Sequence, residues 1–269
     1  MAVFALTAAK GAPGVTTTCL ALALAWPRPV LLIEADVAGS SSILAGYLKG
    51  SVRHDRGLVD VALAHRRGSL LDGLHAASIP LQDSTVRLVP GPTGPAQAVT
   101  LQSVWEPIAG VLRGLERTGT DVIVDAGRLG ARYGPTPLLR EADVTLLTTR
   151  TTLPAIAATR ARAATLREDL FAQGTGDDAL ALLLVGEGQP YSAREIKAAV
   201  GLPVAAMVAW DPVQAEVFSI GASPGGKFAS SSLLRSVRAA TSAIQEFIAG
   251  RRERLAPGSL VRDVGVSRV

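Results

Sequence analysis

Cysteine and aromatic residues are scarce in this chain of 269 residues. Cys19 is the only cysteine, which excludes a disulfide within one chain and a cysteine-rich metal or iron–sulfur cluster. Aromatic residues make up only 4% of the sequence, so a core must be built from Ala, Leu, Val and Ile. Apolar residues still reach 48%, which supplies enough material for a full core and excludes a disordered chain.

The sequence also lacks a long uninterrupted hydrophobic run. Its apolar stretches, such as 19–26 and 203–210, are far shorter than the roughly 18 residues that a membrane-spanning helix needs. The first residues are apolar with no leading positive charge, which is the wrong order for a secretory signal. We therefore predict no membrane span and a cytoplasmic protein.

Lysine is rare, because only four of the 27 basic residues are lysine and the others are arginine. Against 23 acidic residues the net charge is +4. A charge of this size permits contact with acidic partners without requiring it.

Short apolar runs alternate with segments that carry apolar residues at helical spacing. This alternation predicts a doubly wound α/β fold, with a mostly parallel sheet and helices on both faces. The predicted strands are 2–8, 29–33, 86–89, 121–124, 143–148, 179–185 and 203–209. The predicted helices are 17–25, 101–116, 153–172, 192–199 and a last one from Ser231 or Ser232 to about 254. We assign residues 1–256 to one domain and expect 257–269 to form a weakly ordered tail after Pro257-Gly258.

The segment KGAPGVTTT, from Lys10 to Thr18, lies directly between the first predicted strand and the first predicted helix. At this place in an α/β sheet, backbone amides and a helix N-terminus can cradle phosphate, and the hydroxyl of Thr16 can hold Mg²⁺. The strict phosphate-loop pattern fails twice, because Ala9 stands in place of its first glycine and Val15 in place of its lysine. A ligand-free turn before a helix is the alternative.

Two acidic residues, Asp36 and Asp125, follow later predicted strands. Because parallel strands end at the same edge of a sheet, these carboxylates and a loop ending in Thr16 favour a metal site made of Thr16, Asp36 and Asp125. The alternative is that each carboxylate only caps a loop, which is frequent in α/β proteins.

In their order and spacing, these segments resemble the ParA/MinD family of partitioning and positioning ATPases, whose deviant Walker A loop is normally written KGGxGKTT. LLIEAD at 31–36 resembles the second strand of the family, and VIVD at 122–125 resembles its Walker B strand. Further matching segments lie at 56–60, 88–91, 126–130, 142–143 and 210–212, so the resemblance covers about residues 1–248.

The resemblance implies a P-loop NTPase fold that binds ATP or ADP with Mg²⁺. It makes Lys10 the signature lysine, which in the family reaches across a nucleotide-sandwich dimer to the partner's phosphates. Asp36 would orient water and support the metal, and Asp125 would hold Mg²⁺ through water. The implied catalytic residues are therefore Lys10 and Asp36. The implied nucleotide-binding residues are Lys10, Gly11, Ala12, Pro13, Gly14, Val15, Thr16 and Thr17 in the loop, and Asp211 and Pro212 in a base-binding loop.

Three positions depart from the family pattern. Val15 removes the phosphate-loop lysine, Glu34 replaces the first Asp of the second strand, and Gly186 stands where the family usually reads adenine with Asn. A missing charge-assisted contact costs about 1.5–3 kcal/mol, or roughly ten- to a hundredfold in affinity. Arg128 and Arg150, predicted at the carboxyl ends of strands, can supply a replacement charge, and solvated or paired loop arginines are the alternative.

The resemblance implies a nucleotide-switched positioning or partitioning protein. Such a protein would form a homodimer around Mg-ATP, hydrolyse it weakly, and localise a pilus or secretion machinery, as in the TadZ/CpaE-like group, or a DNA cargo. One alternative is a degenerate pseudo-ATPase scaffold that binds partners without productive turnover, and another is a metabolic enzyme on the same fold. Nonspecific DNA binding would be carried by Arg235, Arg238 and Arg252, which are predicted to lie near one another on the last helix.

Overall fold

The structure is a computed structural model that describes residues 2–10, 13–81, 83–115 and 119–256. Its eight strands form one sheet in the order β3-β4-β2-β5-β1-β6-β7-β8. All neighbouring strands are parallel except β3 and β4, which are antiparallel. The strands are β1 Val3–Ala8, β2 Val30–Glu34, β3 Ile79–Pro80, β4 Val86–Val89, β5 Asp121–Arg128, β6 Val144–Arg150, β7 Leu180–Val185 and β8 Val204–Val208.

The central strand β1 is apolar along most of its length because both of its faces are covered. Val3 and Ala5 belong to one core cluster, and Phe4 and Leu6 belong to the other. This is the alternation of side chains that a strand imposes. Continuous apolar strands are typical of a parallel sheet with helices on both sides.

The helices divide between the two faces of the sheet. The helices α2 to α8 contribute buried side chains to one cluster, and α1, α9 and α10 contribute to the other together with a π-helical turn at Ile43–Tyr47. Their bounds are α1 Val15–Ala25, α2 Leu58–Arg66, α3 Leu70–Ala77, α4 Ala98–Leu101, α5 Trp105–Gly114, α6 Thr136–Glu141, α7 Leu153–Gln173, α8 Ala193–Val200, α9 Pro212–Ser219 and α10 Ser232–Leu255.

The long helix α10 begins where the sequence predicts. The hydroxyl of Ser231 accepts a 3.2 Å hydrogen bond from the backbone N–H of Leu234, which satisfies one of the unpaired amides of the first turn. In the described part of the chain, neither this helix nor any other is long and apolar enough to cross a membrane.

The predicted α/β fold is confirmed: the sheet is mostly parallel and both of its faces carry helices. The predicted tail at 257–269 lies outside the described residues, and so do Gly11 and Ala12 of the loop after β1.

Candidate functional site

The loop between β1 and α1 leaves the first turn of α1 open to an anion. Gly14 has a φ of 93°, in the left-handed region, and its carbonyl accepts a 2.8 Å bond from the N–H of Thr18. No described side chain caps the first turn, and none of its residues is acidic. A helix N-terminus of this kind offers unpaired backbone N–H groups and a partial positive charge.

A hydrogen bond joins this helix to the strand β5. The hydroxyl of Thr16, in the first turn of α1, donates to Oδ2 of Asp125 at 2.5 Å. The other carboxylate oxygen of Asp125 accepts the N–H of Gly127 at 3.0 Å. Asp125 is buried, and this burial raises its pKa to about 6 even though the two donors stabilise the ionised form.

Asp36 lies against the same strand end. Its Oδ1 accepts a 2.9 Å bond from the N–H of Ala38 in the loop after β2. Gly127 has a φ of 58°, and a Cβ at that position would overlap the carboxylate of Asp36. Because β2 and β5 are neighbours, the carboxylates of Asp36 and Asp125 come together at one edge of the sheet.

Thr16 and Asp36 line a cavity of about 340 Å³, which we call the phosphate-loop cavity. This volume is within the usual range for small-molecule sites. Arg128, the last residue of β5, also lines the cavity, and its side chain makes no hydrogen bond or ion pair with another described residue. The other described residues of the lining are Ala8, Pro13, Gly14, Val15, Thr17, Ser42, Gly127, Phe218 and Ser219.

Glu34 has a different place from the two aspartates. It pairs with Asp125 in the register of β2 and β5, and it is buried. The hydroxyl of Ser41 donates to its carboxylate, and the N–H of Ile43 donates at 3.3 Å. Burial raises the pKa of Glu34 to about 7. Glu34 therefore anchors the start of the π-helical turn.

The predicted loop residues divide into three groups. Pro13, Gly14, Thr16 and Thr17 line the cavity together with Val15, whereas Lys10 is exposed and Gly11 and Ala12 lie outside the described residues. Val15 is only 8% exposed and packs in an apolar cluster with residues such as Leu20. The position expected for the lysine is therefore at the border between cavity and core.

Asp211 and Pro212, predicted to contact a base, are absent from the described lining of the phosphate-loop cavity. Asp211 caps α9 by accepting the N–H of Gln214 at 3.2 Å, and it also accepts the hydroxyl of Ser232 at 3.1 Å. The opposite end of α9 contributes Phe218 and Ser219 to the cavity. No motif marked this second contribution, because it depends on how α9 packs over the π-helical turn.

Arg128 and Arg150, the two candidates to replace the missing lysine, lie in different surroundings in the structure. Arg150 does not line the phosphate-loop cavity among the described residues, and its guanidinium carbon lies 3.2 Å from the centroid of the Trp210 indole ring. Its burial lowers its pKa. Of these two arginines, Arg128 is the one that lines the phosphate-loop cavity in the described part of the chain.

The arginines predicted for DNA contact do not form one free surface. Arg252 is half-buried and donates to Oδ1 of Asp143 at 2.9 Å, whereas Arg235 and Arg238 are exposed. Arg252 therefore does not share a free surface with the other two arginines, since Asp143, directly before β6, lies within its reach.

The side chains at this site that could bind a metal ion all offer oxygen atoms. Thr16 supplies a hydroxyl, and Asp36 and Asp125 supply carboxylates, which are ligands that suit Mg²⁺. No group of three or more His, Cys, Asp or Glu positioned for a metal ion occurs within the described ranges.

The fold has counterparts among solved structures. MinD from Pyrococcus furiosus has a TM-score of 0.71 at 18% identity, over 91% of this chain and 98% of that one. The fold is that of the MinD and ParA ATPases. A ParA-family ATPase from Chlorobium tepidum has a TM-score of 0.69 at 17% identity, over 90% and 98% of the two chains. MinD from Pyrococcus horikoshii, solved with Mg-ADP, has a TM-score of 0.70 at 16% identity, over 93% and 98%.

At the level of sequence, no family model and no curated protein matches the chain. The similarity to the MinD and ParA structures therefore concerns the fold, and function must be argued from the site.

Proposed function

We propose that this chain is a Mg-nucleotide-binding positioning protein of the ParA/MinD type. The observation that supports this most strongly is the bond between Thr16 and Asp125, which lies beside the uncapped first turn of α1. A hydroxyl, a buried carboxylate and free helix amides at one strand edge form the constellation that a nucleotide phosphate with Mg²⁺ requires.

In this proposal the amides of the loop and of the first turn bind the phosphates of ATP or ADP. Thr16 would hold Mg²⁺, with Asp125 and Asp36 supporting it, and the metal would neutralise phosphate charge. Arg128 provides the cationic contact that Val15 cannot make, since its side chain reaches the same cavity. Asp211 and Pro212 remain our proposed base-side residues.

The switch itself is a homodimer. Lys10 is exposed, so it is free to reach the phosphates bound by a second copy. A two-fold dimer with its phosphate loops facing each other would satisfy both lysines. We propose that this dimer localises a partner in the cytoplasm, either a pilus or secretion machinery, as in the TadZ/CpaE-like group, or a DNA cargo contacted by Arg235 and Arg238.

Light scattering with and without Mg-ATP tests this switch. We expect the mass to double with Mg-ATP in the wild type, and Lys10→Ala to stay monomeric while it retains nucleotide binding. A wild type that remains monomeric at high concentration with saturating Mg-ATP would rule out the dimer switch.

The packing of Val15 favours a second candidate function, a scaffold that binds nucleotide and partners without turnover. Its side chain belongs to an apolar cluster, so the loop places no cation where a P-loop lysine would stand. Phosphate release separates the two candidates: the scaffold predicts none above background, and the switch predicts slow release that Asp36→Asn abolishes.

A further inference from the structure

A second cavity, of about 790 Å³, lies between α1, α9, α10 and the π-helical turn. We call it the α1–α10 cavity. Its described lining includes Leu24, Lys49, Phe218, Ala222, Leu234 and Arg238. A volume of this size suits a small organic molecule.

The wall of the α1–α10 cavity is largely apolar. Leu24 and Leu234 come from α1 and α10, and both are partly buried against the core. The rings of Phe218 and Phe228 pack with their centroids 5.7 Å apart. An apolar ligand body would be removed from water at this wall, which is the main source of affinity in such sites.

Positively charged side chains outnumber negatively charged ones in the described lining of this cavity. Lys49 and Arg238 are two exposed cations, and Asp83 is the only acidic residue in the described lining. Lys49 makes no ion pair with a described residue, and Arg238 makes one 3.4 Å contact to the carbonyl of Ala229. The lining therefore carries an excess of positive charge that is not neutralised within it, and this favours a ligand with an acidic group.

The α1–α10 cavity and the phosphate-loop cavity share a wall. Phe218 lines both of them. The π-helical turn and the segment at and after the end of α9 approach closely through their backbones, since a Cβ on Gly46 would overlap the carbonyl of Ser219 and a Cβ on Gly221 would lie 2.5 Å from the carbonyl of Tyr47. A ligand that contacts Phe218 in one cavity therefore contacts part of the wall of the other.

We propose that the α1–α10 cavity binds a small anionic amphiphile, with an apolar chain against Phe218 and Leu24 and an acidic head near Lys49 and Arg238. We further propose that the bound ligand alters nucleotide affinity through Phe218, and this second part rests on the proposed function. A molecule with a single acid and a medium-length alkyl chain has the required chemistry.

Calorimetric titration with sodium decanoate, in the absence of nucleotide, tests the site alone. We expect decanoate to bind and octanoate, which is two methylenes shorter, to bind about fifteenfold more weakly, because each buried methylene changes affinity about fourfold. Decanol, with the same chain and no charge, reports the apolar part of the interaction.

Two sets of variants separate this site from general adsorption. In Lys49→Gln/Arg238→Gln we expect decanoate affinity to fall about tenfold while decanol affinity is unchanged, since each exposed charge contributes only modestly. In Ala222→Phe the added ring should block both ligands. Arg194→Gln/Lys197→Gln on α8 makes the same change of charge on the other face of the sheet, and it should behave as the wild type.

The outcomes distinguish the two proposals. If decanoate binds the charge variant or Ala222→Phe as tightly as the wild type, the site is overturned whatever nucleotide does. If the site holds and Mg-ATP also binds, decanoate should change ATP affinity at least threefold, and Phe218→Ala should remove that change. An unchanged ATP affinity overturns the coupling, whereas absence of ATP binding overturns the proposed function and leaves the amphiphile site standing.

Discussion

The hydroxyl of Thr16 donates to the buried carboxylate of Asp125 at 2.5 Å, which ties the first turn of α1 to the end of β5. These residues are 109 positions apart in the sequence. The contact makes Thr16 the point where the loop, the helix and the acidic strand end meet.

Removal of this hydroxyl should weaken binding of Mg-nucleotide. We expect Thr16→Ala to reduce Mg-ATP affinity about ten- to a hundredfold, because a charge-assisted contact contributes about 1.5–3 kcal/mol. Thr16→Ser keeps the hydroxyl and is the matched control, so its affinity should stay within a few-fold of the wild type. Equal affinities in all three proteins, measured by calorimetry, would remove Thr16 from the site.

A cation at position 15 should restore part of the usual phosphate contact. We expect Val15→Lys to tighten Mg-ATP binding about ten- to a hundredfold, while Val15→Met, a long side chain without charge, should not. Hydrolysis should remain slow, because in the proposed function the positioning of water depends on Asp36 and on the segment 126–130, and not on a lysine at position 15.

The same titration in two arginine backgrounds identifies the substitute cation. Arg128 lines the phosphate-loop cavity and Arg150 stacks on Trp210, so Arg128→Ala should weaken binding and Arg150→Ala should not. The reverse result would place the phosphates nearer to Trp210 than we propose.

Gly127 should not tolerate a side chain. It has a positive φ, and a Cβ would overlap Asp36, so Gly127→Ala should destabilise the fold and also displace that carboxylate. Gly201→Ala is the matched control, since Gly201 has a φ of 77° with open space around its Cβ position. We expect Gly201→Ala to cost about 1 kcal/mol with unchanged ATP affinity. Denaturant unfolding of both variants, with ATP titration, checks this contrast.

Glu34 should make stability depend on pH. Its pKa rises from 4.5 to about 7 on folding, so the folded state binds more protons in that range and the free energy of unfolding falls as pH rises from about 4.5 to 7. Above about pH 7 the free-energy cost of ionising Glu34 in the folded state is fully present, at about 3 kcal/mol.

Urea unfolding of Glu34→Gln, without Mg²⁺ and nucleotide, tests this dependence. Relative to the wild type, the variant should gain stability from about pH 5 to about pH 7 and level off above that, since its amide carries no charge to bury. Glu246→Gln, on an exposed part of α10, should follow the wild-type profile. Parallel profiles for wild type and Glu34→Gln would show that Glu34 stays ionised at little cost.

Most of the sheet could be predicted because its strands are short apolar runs between polar turns. The predicted strand at 86–89 has the bounds of β4, and the run at 179–185 differs from β7 by one residue. The two-residue strand β3 could not be found in this way, because its existence depends on pairing with β4. The helix α2 was also missed, since its apolar pattern is short and its N-terminus is fixed by contacts to the loop after β4.

The convergence of Thr16, Asp36 and Asp125 follows from a simple rule, that parallel strands end at one edge. Contacts between side chains of distant segments, which depend on how the helices pack, do not follow from this rule. Arg251 is buried in α10, where its guanidinium donates to Asp178 at 3.0 Å and to the backbone carbonyls of Thr175 and Asp143. From the sequence alone Arg251 would be placed on the surface. Its partner Asp178 is more than 70 residues away, so the sequence does not show that the two side chains meet.

The most direct test of the central claim is calorimetric titration of the wild type with Mg-ATP, repeated with ATP in excess EDTA. The account predicts one nucleotide per chain and a clear loss of affinity when Mg²⁺ is removed, since Thr16 and the two carboxylates act through the metal. Absence of heat in both titrations, or equal affinity with and without Mg²⁺, would contradict it.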